Sequence, residues 1–148
     1  MTDRIEKTAE LNAPIERVWG ALTDHAQFSQ WFGVDLEGPF IVGQRARGRM
    51  THSGYEQVIW EAQILKMEPP TLFALTWHPY AVEPGVDYSS EPSTLVEFRL
   101  EPAGERTRIF IVESGFDAVP AHRRDAARRA HDGGWDAQIR NFRNHVES

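Results

Sequence analysis

Residues 106–146 read RTRIFIVESGFDAVPAHRRDAARRAHDGGWDAQIRNFRNHV. A β-type run ends at Glu113-Ser114-Gly115-Phe116 and hands over to a long helix that carries Gly133-Gly134-Trp135. Each glycine inside a helix costs roughly 1 kcal/mol relative to alanine. The missing side chains must therefore serve something, and close approach of another backbone is the expected gain. Beyond the glycines, Trp135, Ile139, Phe142 and Val146 fall at spacings of four, three and four. That places them on one helical face, with Asp136, Arg140 and Arg143 turned away. The apolar face must lie against something apolar.

Working back from the helix, strands are expected at 34–37, 44–51, 57–67, 72–77, 94–101 and 106–114, each bounded by Gly, Pro or Ser. Residues 4–11 make another. There Ile5, Ala9 and Leu11 alternate with Arg4, Glu6, Thr8 and Glu10, the period of a half-buried strand. Asn12-Ala13-Pro14 then opens a helix with Ile15, Val18, Trp19 and Leu22 at helical spacing. A second short helix through Phe28, Trp31 and Phe32 ends at Gly33. Residues 79–92 hold three prolines and read as a long loop over one end of the sheet. Most connections are too short for parallel crossovers, so the pairing should be antiparallel. A sheet with one apolar face needs a cover, and the long helix is the element available for it. The expected fold is α+β: a curved antiparallel sheet wrapped around a long C-terminal helix, with two short helices after strand one, in one domain over residues 1–148.

At 148 residues and 41% hydrophobic, the chain can bury a substantial core. Its net charge of −6 speaks against a broad phosphate-binding surface, so nucleic acid is not the expected partner. Arg123, Arg124, Arg128 and Arg129 interleave with Asp125 and read as a solvated helix face. No cysteine is present, which removes disulfides, thiolate metal sites and cysteine nucleophiles. Met1-Thr2-Asp3-Arg4-Ile5-Glu6 lacks the apolar core of a signal peptide, and no run reaches the roughly 18 apolar residues of a membrane helix. A cytoplasmic location is the expectation.

Taken in order, Ala13-Pro14-Ile15-Glu16-Arg17-Val18-Trp19, Trp31-Phe32, Pro69-Pro70 before a strand ending at Trp77, Glu113-Ser114-Gly115-Phe116 and Gly134-Trp135 resemble the START-like helix-grip superfamily (SRPBCC, Bet v-like). Within it they resemble the group related to the activator of the heat-shock-protein-ninety ATPase. The resemblance spans nearly the whole chain. It implies a pocket between the sheet and the long helix, used by different members for lipids, hormones or polyketide chains. The second glycine at Gly133 and the long loop from Val82 to Ser93 depart from the pattern, and the loop should alter access to the pocket. Chaperone activators carry a further N-terminal domain not found in these 148 residues. That ranks the protein-interaction module last.

Strand parity assigns the pocket wall. Ile109 and Ile111 share a face with Glu113, so a carboxylate should turn inward. Trp60, Phe73, Leu75, Trp77 and Phe98 face inward on neighbouring strands, with Trp31 and Phe32 near the mouth. On the helix, Trp135, His131 one turn before it and Arg128 three residues earlier should look toward the end of the cavity that holds Glu113. Two readings of Glu113 stand side by side: a polar anchor or base for a ligand, and a structural partner of a helix residue. His78 and Tyr80 should line an entrance. His52, Glu56 and His78 lack any metal-ligand spacing, there is no Gly-x-Ser-x-Gly elbow, and residues 38–43 are not a P-loop. No metal and no cofactor are expected. The leading expectation is a binder of a small hydrophobic or aromatic molecule, lipid or polyketide-like. The alternatives are a polyketide cyclase-, dehydratase- or hydrolase-like enzyme using Glu113 and His131, and a co-chaperone-like module with a protein partner.

Overall fold

The computed structural model describes residues 4–83 and 85–148. The reading of Met1-Thr2-Asp3 and the place of Pro84 in the long loop lie outside the described residues. Among the latter, the chain forms β1 (Arg4–Leu11), α1 (Ile15–Thr23), α2 (His25–Phe32), β2 (Val34–Leu36), β3 (Arg45–Met50), β4 (Ile59–Glu68), β5 (Leu72–Trp77), β6 (Thr94–Ala103), β7 (Arg106–Ser114) and α3 (Ala121–Val146). The strands make one antiparallel sheet in the order β1-β7-β6-β5-β4-β3-β2. Every connection between neighbours from β2 onward is a hairpin. The α1–α2 insertion carries the chain from one edge of the sheet to the other.

Helix α2 starts where the Asp24 side chain accepts from the Ala26 N–H and stops at Gly33, whose φ of 89° lies in the left-handed region. Helix α3 buries Ala127, Trp135, Phe142 and Val146 against the sheet, with Ile139 packed beside them. Each large side chain in that stripe stabilises the fold by on the order of 2 kcal/mol through burial. Lys7 on β1 pins the flank of the helix beside that stripe, reaching Asp132 at 3.2 Å and Asp136 at 3.0 Å.

The glycine pair does not do what the sequence suggests. Helix α3 runs unbroken through Gly133 and Gly134. A Cβ added at either position would meet no atom of the described residues within 4 Å. The close backbone approach occurs instead at Gly48 on β3, where an added Cβ would collide with the carbonyl of Asp35 on β2. Gly48 pairs with Leu36 at that edge. Gly48→Ala is therefore expected to cost about 1–3 kcal/mol, the usual range for overpacking. Urea unfolding would measure it, and a neutral substitution would contradict the close fit.

Candidate functional site

Glu113 sits on β7 with the inward parity of Ile109 and Ile111, and its side chain is 0% exposed. A buried carboxylate must be hydrogen-bonded, and this one is saturated. Trp77 Nε1–H donates to Oε2 at 2.8 Å and Thr94 Oγ1–H at 2.6 Å. Trp135 Nε1–H donates to Oε1 at 2.9 Å. His131 Nδ1 lies 2.7 Å from Oε1 and 2.9 Å from Oε2. These donors come from β5, β6 and α3, so the carboxylate joins sheet to helix. Burial alone pushes the Glu113 carboxyl up. The hydrogen bond from His131, with the bonds from Thr94 and Trp77, outweighs it and holds the group below its ordinary value.

On its other edge His131 meets the long loop. The backbone N–H of Tyr80 donates to Nε2 at 3.0 Å. Nε2 therefore carries the lone pair and Nδ1 the proton given to Glu113, which fixes one neutral tautomer. Tyr80 itself has φ 53°, a left-handed conformation that is uncommon for a residue with a side chain. Arg123, in the first turn of α3, holds the loop there. Its Nη1 donates to the Pro79 carbonyl at 2.8 Å and the Tyr80 carbonyl at 3.3 Å. Its Nε and Nη2 donate to Glu91 Oε1 at 2.9 and 2.6 Å, and the guanidinium lies 4.8 Å from the Tyr88 ring centroid. Arg123 is thus a loop clamp and departs from the solvated face expected for the arginine cluster.

Two spaces flank this arrangement. Inside, beneath Trp31, Phe98, Ile111 and Trp135, there is a void of about 10 Å³, too small for more than a water molecule. Outside, an open cleft of about 850 Å³ runs between β3–β4, the long loop and α3. Its apolar wall includes Phe32, Met50, Trp60 and Trp77, and its helical wall includes Ala130, His131 and Gly134. Gly134 thus faces open space for want of a side chain. The indole of Trp60 lines this cleft, yet its Nε1 is buried and has no acceptor among the described residues. An unmet donor of this kind costs about 1–3 kcal/mol.

The residues singled out in the sequence separate accordingly. Trp60, Trp77, Phe32 and His131 line the open cleft, as do His78 and Tyr80. Phe73 and Leu75 are core, Trp31, Phe98, Ile111 and Trp135 close over the small void, and Glu113 lies behind the indoles. The deep oily hollow with an open carboxylate is thus filled by Trp77 and Trp135, stacked with centroids 5.7 Å apart. Arg128 reaches toward β1, donating to the Arg4 carbonyl at 3.1 Å. Thr94 joins the site as a donor to Glu113 and continues the inward parity of Val96, Phe98 and Leu100, the signal by which the sequence marks it. Among the described residues no group of three or more His, Asp or Glu is placed to hold a metal, and no helix is long and apolar enough to cross a membrane.

Residues 12–147 match the model of the family described as Activator of Hsp90 ATPase homolog 1-like protein. No curated protein matches the sequence. Among solved structures the chain is similar to the DynU16 protein of the dynemicin biosynthetic locus, at 20% identity and TM-score 0.76, covering 100% of this chain and 48% of that one. It spans about half the length of that protein. It is also similar to a protein from Arthrobacter aurescens at 22% identity and TM-score 0.77, covering 99% and 87% of the two chains. A third likeness is to Aha1 from Colwellia psychrerythraea, solved as a dimer, at 17% identity and TM-score 0.74, covering 97% and 96%. At such identities these likenesses show the helix-grip fold.

Proposed function

The chain belongs to the Activator of Hsp90 ATPase homolog 1-like family, and from that premise we propose that it binds a small hydrophobic or aromatic molecule in the cleft between the sheet and the C-terminal helix. Family and fold alone are compatible with small-molecule or protein binding. The observation that carries the choice is the cleft itself: about 850 Å³, within the range of ligand sites, with aromatic side chains in its wall and a helical side formed by Ala130, His131, Gly134 and Gln138. The ligand contacts fall to Phe32, Trp60, Trp77 and His131, with Glu113 behind them as the group that orients His131.

Mass spectrometry of the protein purified under native conditions, with a tryptophan-fluorescence screen of lipids and aromatic polyketides, tests this reading. Trp60 and Trp77 line the cleft, so occupancy should change indole emission. Saturable quenching by an aromatic compound is the expected result. Absence of any bound species and of any response would sink the proposal. The neighbour from a biosynthetic locus is the reason for including polyketides in that screen. The enzyme reading is favoured by one observation, the carboxylate–imidazole pair whose imidazole reaches the cleft.

A further inference from the structure

His131 has Nδ1 on a buried carboxylate and Nε2 on the Tyr80 amide, and both His131 and Tyr80 line the open cleft. A nitrogen held in this way is an acceptor by construction. Any molecule that takes the place of the Tyr80 amide at Nε2 must bring a hydrogen-bond donor. We propose that the cleft takes an acidic hydroxyl compound, a phenol or an enol, whose oxygen inserts between the Tyr80 N–H and His131 Nε2 and passes its proton to Nε2. The inference rests on the reading of the cleft as a small-molecule site.

The step balances without a co-reactant. The ligand O–H bond breaks, its electron pair stays on oxygen, and an N–H bond forms at Nε2. The resulting imidazolium keeps its Nδ1–H on Glu113, while the oxyanion accepts from both the new Nε2–H and the Tyr80 N–H. The charged and titratable groups around the pair are Glu113 from β7, Arg123 from the first turn of α3, and His78 and Glu91 of the loop. Arg123 is engaged by Glu91 and the loop carbonyls, and His78 Nε2 lies 2.9 Å from the Glu91 carbonyl oxygen. Insertion requires the 3.0 Å gap between Tyr80 N and Nε2 to widen. Tyr80 is poised for that, being a non-glycine residue kept in the left-handed region at φ 53° by contacts to its own and the preceding carbonyl.

The test uses 4-nitrophenol, which has an ionisable hydroxyl and an acceptor group, beside 4-nitroanisole, which has the same ring and no proton to give. The expected result is that both quench tryptophan emission. Bound 4-nitrophenol should show the visible nitrophenolate band with an ionised-to-neutral ratio about tenfold above that in buffer at the same pH, one unit of apparent pKa. Glu113→Gln should return that ratio to the buffer value. That variant alters a buried network, so the deciding measurement is nitrogen-15 NMR of His131 in the unaltered chain. Nε2 should be unprotonated in the free protein and protonated in the 4-nitrophenol complex. If both probes bind while Nε2 stays unprotonated and no nitrophenolate forms, this inference is overturned and the cleft reading stands. If neither probe binds, the cleft reading fails for aromatic ligands and the inference goes with it.

Discussion

Glu113→Leu is expected to lose about 3–5 kcal/mol of folding stability, the cost of removing one side of a buried polar cluster and stranding the other. Two indole N–H groups, the Thr94 hydroxyl and His131 Nδ1 would all lose their acceptor in a space that excludes water. For a chain of this size that corresponds to a fall in melting temperature on the order of 10 °C. Urea denaturation would settle the matter, and a loss under about 1 kcal/mol would show the cluster to be dispensable. The same residue sets an acid limit. Its folded pKa lies below the ordinary glutamate value of 4.5. Above 4.5 the carboxylate is charged whether folded or unfolded, and its stabilisation is complete. As pH falls below that, the unfolded chain takes up the proton first. Stability then declines until the folded carboxyl is protonated too. The stability gap between the unaltered chain and Glu113→Gln should therefore narrow in this acid range. A gap independent of pH would contradict the assignment.

Gly134→Leu should separate binding from folding. The position faces the cleft, and an added Cβ there meets nothing within 4 Å among the described residues. The helix should gain about 0.5–1 kcal/mol from losing a glycine. The ligand identified by screening should lose roughly 10- to 100-fold in affinity, the equivalent of about 1–3 kcal/mol of overpacking. Calorimetry for binding and thermal unfolding for stability read the two effects independently. Unchanged affinity would place the ligand elsewhere, and a destabilised helix would mean that the glycine has a packing role after all.

Much of the architecture was legible because it follows from periodicity. Alternation in β1, β6 and β7 put Ile5, Phe98, Ile111 and Glu113 on the covered face, and the stripe from Trp135 to Val146 marked the side of α3 that meets it. These patterns are local, and strand and helix geometry translate them directly. The state of the pocket was not legible, because it is set by indole rotamers. Trp77 and Trp135 approach Glu113 from positions 36 and 22 residues away, and no spacing in the chain announces that their N–H groups converge on one carboxylate. The Tyr80 bond to His131 spans 51 residues and depends on a loop conformation that propensity does not specify. The glycine pair was visible but misassigned. A missing side chain can admit a neighbouring backbone or leave a space, and sequence alone does not distinguish the two.

The sealed carboxylate and the bare helical wall divide the labour between them. What keeps the protein folded sits behind Trp77 and Trp135, out of reach of any guest. What shapes the berth is a few positions on α3 and a clamped loop, and among the described residues nothing packs within 4 Å of a Cβ added at position 134. A molecule built in this way can be refitted for a different occupant by exchanges at its rim, leaving its foundations untouched.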